Sequence, residues 1–256
     1  MIDFHDARNR MSYTTREASS TWTEDLSRLI NMKGSEVLDI GAGGGIYSKA
    51  IIDNGAHSVT VLDASEAMLE GAQANCEGYE QIHYVHAEAS DTHLPSQSYD
   101  IVLQRALIHH LKQLRPPFTE AYRLLKDRGM LIIQDRTPGD CLLPSSQTHI
   151  RGFIFECFPH LASVECRRRY ESEDVHRALR AAGFKHIQEE KLWEGRKTYH
   201  SVPAMVEELK ARTGRSILHH LDDQELDTLC TFIKNRVKAP VTEMDRWTIW
   251  VAQKRS

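Results

Sequence analysis

Glu36-Val37-Leu38-Asp39-Ile40-Gly41-Ala42-Gly43-Gly44-Gly45-Ile46 is the stretch from which the rest of the chain is read. Val37, Leu38 and Ile40 make the short apolar run of a buried strand. Glycine follows at 41, 43, 44 and 45, where a chain turns tightly or a ligand touches backbone. Residues 47–53 then read as a helix. Strand, glycine loop and helix start together leave N–H groups pointing outward. That geometry predicts a nucleotide-like ligand at the carboxyl end of the first strand.

The loop discriminates between ligands. A dinucleotide fingerprint needs Gly-x-Gly-x-x-Gly/Ala. Counted from Gly41, the sixth position is Ile46, too bulky for the close helix–strand packing the third glycine permits. An NAD-dependent dehydrogenase is therefore disfavoured. Asp39 instead precedes Gly41 by two residues, giving Asp-x-Gly-x-Gly-x-Gly. The next apolar run, Ser-Val-Thr-Val-Leu at 58–62, ends in Asp63, twenty positions after Gly43. An acid there can accept both hydroxyls of a ribose. The competing reading makes Asp63 a helix cap, but Ser65 is a good N-cap itself, which leaves Asp63 for the ligand.

Three further segments follow in order: His-Tyr-Val-His-Ala-Glu-Ala at 83–89, Tyr-Asp-Ile-Val-Leu-Gln at 99–104 with Arg-Ala-Leu-Ile-His-His-Leu at 105–111, and Met-Leu-Ile-Ile-Gln-Asp at 130–135 after a turn at 124–129. With the acid-plus-glycine loop and Asp63, these resemble the class I S-adenosylmethionine-dependent methyltransferases, strongly over residues 36–135 and loosely elsewhere. The resemblance implies an α/β, Rossmann-like seven-stranded sheet, mostly parallel with the last strand antiparallel, helices on both faces and a helical cover. It implies S-adenosylmethionine as cofactor and S-adenosylhomocysteine as product. The cofactor would lie on Asp39, Gly41, Ala42, Gly43 and Gly45, on Asp63 with Ala64 and Met68 as adenine walls, on Glu88 (where Asp is commoner) and Ala89, and on Gln104. Substrate contacts are expected from Tyr13, Arg105, His109, Arg136 and Arg151. The reaction implied is methyl transfer to a small molecule, driven mainly by positioning; the rivals are a macromolecular methyltransferase and a non-catalytic cofactor binder.

Composition limits the alternatives. The chain has 256 residues, 41% hydrophobic and 27% charged, with net charge −4. No global positive field is available to draw in RNA or DNA, so no nucleic-acid partner is expected. No apolar run reaches the ~20 residues of a membrane span. Cys76, Cys141, Cys157, Cys166 and Cys230 include no Cys-x-x-Cys pair, which fits a reducing, cytoplasmic setting. The expected assembly is a monomer or homodimer.

The whole chain, 1–256, reads as one domain. Residues 1–31 form an N-terminal lid and helix, in which Trp22, Leu26 and Ile30 share helical spacing and cover the sheet edge. Residues 36–135 alternate strand and helix five times, which predicts a parallel sheet. Residues 137–170 and 202–237 are insertions that cover the substrate. Within the first, Pro138-Gly139-Asp140 reads as a turn and Arg167-Arg168-Arg169 as a solvated face, while any of the three that faced inward would suit a carboxylate or phosphate on the substrate. A helix over 172–182 takes Ser172 as N-cap, a strand covers 184–192, and helices cover 202–213 and 223–237, the last with Asp222 and Glu225 as a capping box. Residues 246–254 form the final strand. His109 and His110 follow the fourth strand; they read as pocket lining rather than as a general base. His83 and His86 face opposite sides of a strand, and no metal site is expected.

Overall fold

The protein is described here by a computed structural model that covers residues 17–212 and 214–255. In chain order the elements are α1 (Ser20–Leu29), β1 (Glu36–Ile40), α2 (Ile46–Asp53), β2 (Ser58–Asp63), α3 (Glu66–Asn75), β3 (Ile82–His86), β4 (Tyr99–Arg105), α4 (Arg115–Leu124), β5 (Leu125–Asp135), α5 (Pro138–Cys141), α6 (Arg151–Cys157), α7 (Leu161–Arg167), α8 (Ser172–Ala182), β6 (Lys185–Tyr199), α9 (Val202–Lys210), α10 (Asp223–Lys234) and β7 (Val241–Gln253). Short 3₁₀ turns lie at Ile108–His110 and Ser216–His220.

The strands form one seven-stranded sheet in the order β3-β2-β1-β4-β5-β7-β6. β1 pairs in parallel with β2 on one side and β4 on the other. Chain direction across the sheet therefore switches at β1, where open α/β sheets bind ligands. β7 runs antiparallel to both neighbours. This is the seven-stranded sheet expected from the sequence, mostly parallel with its last strand antiparallel.

Val37 to Ile40 are all buried because both sheet faces are covered. Side chains alternate between the faces. Leu38, Ile40, Val102, Leu131 and Trp250 join one core with Phe118, Leu179 and Phe184. Val37, Val59, Leu103, Ile132 and Val251 join another with Trp22, Ile51 and Leu69. α1 is capped by Ser19, which accepts from Trp22 N–H, and packs on edge strand β6. A third core holds Phe153, Met205, Leu209, Leu226, Leu229 and Ile233. It joins α6, α9 and α10 into a cover with an apolar interior of its own.

Several expectations are corrected. No helix separates β3 from β4; residues 87–98 are irregular, with a short bridge between Glu88 and Asp91. Pro138 to Cys141 is a helical turn rather than a bare turn, closed by a Thr137–Asp140 capping box. The N-cap of α8 is Glu171, because Ser172 already lies inside the helix and donates to Glu189. The turn before the fifth strand is absorbed into β5 as a register shift against β4, with Arg128 at φ +63°. The capping box of Asp222 and Glu225 is present. Last, β6 and β7 are longer than their apolar cores suggest. Trp193–Tyr199 of β6 pairs with Arg246–Val241 of β7 beyond the end of β5. This two-stranded ribbon reaches over the carboxyl ends of the parallel strands.

Candidate active site

The carboxyl ends of β1, β2 and β4, the chain just past β5 and the overhanging ribbon enclose a cavity of about 510 Å³, within the ~300–1,000 Å³ typical of ligand sites.

At one end the wall is backbone and acid. Gly41 to Gly44 line it together with Asp39, Asp63, Ala64, Met68, Glu88 and Ala89. Asp63 Oδ2 accepts from Gly43 N–H at 3.0 Å and Oδ1 from Ser65 N–H at 2.9 Å. It thus fixes the glycine loop and the start of α3 while facing the cavity. Ser65 caps α3 through Met68 N–H, as expected. Asp39 is almost wholly buried and accepts from Ser48 Oγ at 2.6 Å. Burial pushes its carboxyl up to about 6, against the pull of Ser48 and the more distant Arg105. A cation brought beside it would be favoured.

Two residues expected at this end do not line the cavity. Gly45, at φ +71°, begins α2, and a Cβ there would stand 2.7 Å from Cys76 Sγ. Its role is the close approach of α2 to α3. Gln104 is fully buried in β4 with neither amide atom hydrogen-bonded. Strand alternation turns its side chain away from the face that carries Arg105.

The other end is built of charge and aromatic rings. Arg105 donates to both oxygens of Glu194 at 2.8 Å. Glu194 also accepts from Tyr47 Oη at 3.2 Å and Gln134 Nε2 at 3.1 Å. The guanidinium of Arg105 stacks between the rings of Tyr47, 3.7 Å away, and Trp247, 4.5 Å away. Arg136 covers the same Trp247 at 3.8 Å and pairs with Asp245 at 2.7 Å. Trp22 Nε1 donates to Gln134 Oε1 at 2.7 Å, tying α1 into this wall. Arg151 lines the cavity, 3.2 Å from Glu165. Tyr13 lies outside the described residues.

His109 lines the same cavity. Its Nδ1 lies 2.8 Å from Asp135 Oδ2, and its N–H donates to that carboxylate at 3.2 Å. Asp135, wholly buried, also accepts from Arg169 at 3.0 Å and Arg136 N–H at 2.7 Å. Burial alone would raise Asp135, but His109, Arg169 and the backbone donor outweigh it and hold it below the usual carboxylate range. Burial lowers His109 more than Asp135 raises it. The imidazole is therefore neutral near pH 7, with its proton on Nδ1 toward Asp135 and the Nε2 lone pair left to accept a proton.

The arginine run is not a solvated face. Arg169 is buried against Glu165 and Asp135, and Arg168 half-buried against Glu165; Arg167 alone of the three is exposed. The α7 spacing of Glu165 and Arg169 (i, i+4) signals such a pair. The reading also missed Tyr47, Glu194, Arg196, Asp245 and Trp247. Glu243, Asp245 and Trp247 continue the period-two face of Ile249 and Val251. Acids on the apolar face of a strand were the available signal.

Residues 38–133 match the family described as a methyltransferase domain. The core is similar to a methyltransferase domain. A demethylmenaquinone methyltransferase from Clavibacter sepedonicus is 34% identical over 100 residues, 39% of this chain and 40% of that protein. The chain spans less than two thirds of the length of the first curated relatives it matches. Phosphoethanolamine N-methyltransferase 2 of Haemonchus contortus, solved with S-adenosyl-L-methionine, superposes with TM-score 0.62 at 18% identity, over 100% of this chain and 61% of that one. The [4+2]-cyclase SpnF superposes with TM-score 0.57 at 19% identity, over 91% of this chain and 80% of that one. These likenesses fix the fold; the chemistry has to be argued from the site.

Proposed function

We propose that the chain transfers a methyl group from S-adenosylmethionine to a small-molecule acceptor. The observation that carries this is one cavity with two unlike ends. The glycine-loop end offers Asp63 at the tip of β2 for a ribose diol, Met68 and Ala89 as apolar walls, and Asp39 near the loop where a cationic amino group would settle. The other end holds arginines, aromatic rings and a histidine paired to a buried carboxylate. The relatives support the same cofactor and acceptors of small size.

When bound, the cofactor supplies a methyl group already activated by its sulfonium. What remains for the protein is alignment and exclusion of water, and orientation alone can supply ~7–11 kcal/mol of a barrier. The stacked Tyr47, Arg105 and Trp247 and the cover helices give that end rigid walls. Where the acceptor atom carries a proton, His109 is the group to take it, with Asp135 holding the ring and stabilising the imidazolium.

The test is ligand stabilisation. S-adenosylhomocysteine is expected to raise the melting temperature and NADH is not. Stabilisation by NADH alone would overturn the proposal.

A further inference from the structure

The acceptor end of the cavity is walled by arginines that share too few carboxylates. Asp245 lies 2.7 Å from Arg136, 3.8 Å from Arg151 and 3.9 Å from Arg196. Glu165 lies 3.2 Å from Arg151 and 2.9 Å from Arg169, and pairs also with Arg168. Two carboxylates thus gather five guanidiniums from four segments: the chain after β5, the start of α6, the end of α7 and β6. All five line the cavity. With Arg215, six arginines face Asp135, Glu165, Asp245, Glu208 and Glu243 among the described residues. Leaving Arg196 and Arg215 aside, the four guanidiniums of Arg136, Arg151, Arg168 and Arg169 pair with the three carboxylates of Asp135, Glu165 and Asp245 among the described residues, one positive charge more than those acids.

The excess is kept out of water. Arg151 and Arg169 are more than nine-tenths buried. The Nε atoms of Arg136, Arg151 and Arg168 are buried with no hydrogen-bond partner. A buried charged donor without an acceptor is costly. Burial lowers the Arg136 guanidinium to about 10; Asp245 opposes this, and Arg151 and Arg169 add to it. Arginine is weakly hydrated and planar, and Trp247 holds the Arg136 guanidinium flat, the arrangement suited to an oxyanion. A neutral or cationic acceptor would leave the cluster uncompensated.

We propose that the methyl acceptor carries an anionic group, a carboxylate or a phosphate, and that Arg136, Arg151 and Arg168 bind it. This rests on reading the cavity as a methyltransferase site and adds the class of substrate. The anion would anchor one end of the acceptor against the β5–α6–α7 wall and leave its nucleophilic atom toward His109 and the glycine loop.

The test uses the full chain saturated with S-adenosylhomocysteine, which fills the loop end and prevents anions from binding there. Melting is followed against inorganic phosphate, benzoate and chloride at equal ionic strength, for the wild type, Arg136→Gln and Arg168→Gln. Phosphate or benzoate is expected to stabilise the wild type beyond chloride, and whichever does so at lower concentration names the group. Both variants are expected to bind that anion about tenfold more weakly or worse, as loss of one charged hydrogen bond requires. If Arg136→Gln does not fold, Arg168→Gln, at the more exposed edge of the cluster, carries the comparison. No stabilisation beyond chloride, or equal anion affinity in wild type and variants, overturns the proposal. Failure of S-adenosylhomocysteine to bind would strike the methyltransferase reading instead; the anion response is then read without it, its dependence on Arg136 and Arg168 still deciding the subsite.

Discussion

At the scale of single residues the account turns on three side chains. Asp63 holds the glycine loop and faces the cavity, so Asp63→Ala is expected to weaken S-adenosylhomocysteine binding by at least about tenfold, since hydrogen bonds to charged groups contribute ~1.5–3 kcal/mol. Calorimetric titration reads this, and unchanged affinity would remove Asp63 from the site. Asp39 titrates near 6 because it is buried. Its pKa is raised on folding, so its contribution to stability is present at low pH and lost as the pH rises through 6. Asp39→Asn should therefore gain on the wild type between pH 4 and pH 7 by on the order of 3 kcal/mol. Denaturant unfolding at the two values checks it; a constant difference would mean that Asp39 is not desolvated. Where the acceptor atom carries a proton, His109→Gln should lower kcat about a hundredfold, the scale of general-base catalysis, with cofactor affinity unchanged. Of these residues Asp39 and Asp63 were legible in the sequence, because loop spacing restricts acids beside glycines. The His109–Asp135 pair was not. It joins residues 26 positions apart, and no local pattern encodes such a distance.

At the scale of elements, period and caps did most of the predicting. β1, β2, β4 and β5 were readable as apolar runs, and α3 and α10 from Ser65 and Asp222. α6 and α7 went unread because they are only seven residues each, and their apolar faces pack largely against distant chain. The ribbon of β6 and β7 was truncated because its outer half carries Glu194, Arg196, Glu243 and Asp245 where apolar residues would mark a strand. Gly45 shows how tightly α2 and α3 approach. Gly45→Ala combines left-handed strain with a 2.7 Å approach to Cys76 Sγ and should cost more than about 1 kcal/mol. Chemical denaturation measures that loss, and a neutral effect would show that the α2–α3 approach is loose.

At the scale of the molecule, a sheet with two packed faces carries a cover that has its own apolar core. Buried ion pairs of Asp135 with Arg169 and of Asp245 with Arg151 join the sheet to the segments over it, and Glu165 ties Arg151 to Arg169 within those segments. Their guanidinium neighbours hold these acids below their ordinary range, although burial pushes each the other way. A depressed carboxylate stabilises above its unfolded pKa and loses that contribution as the pH falls further. From about pH 4.5 downward, α6 and α7 should lose amide-exchange protection before β1 and β4 do; simultaneous loss would show that the ion pairs do not hold the cover. The sequence order of motifs sufficed for the sheet, but not for the joining of five arginines from four segments around two acids. The central claim is methyl transfer to a small acceptor, and one measurement addresses it directly. The protein is incubated with methyl-labelled S-adenosylmethionine and a cell extract separated by molecular weight. The account predicts label in the low-molecular-weight fraction; label confined to protein or RNA would contradict it.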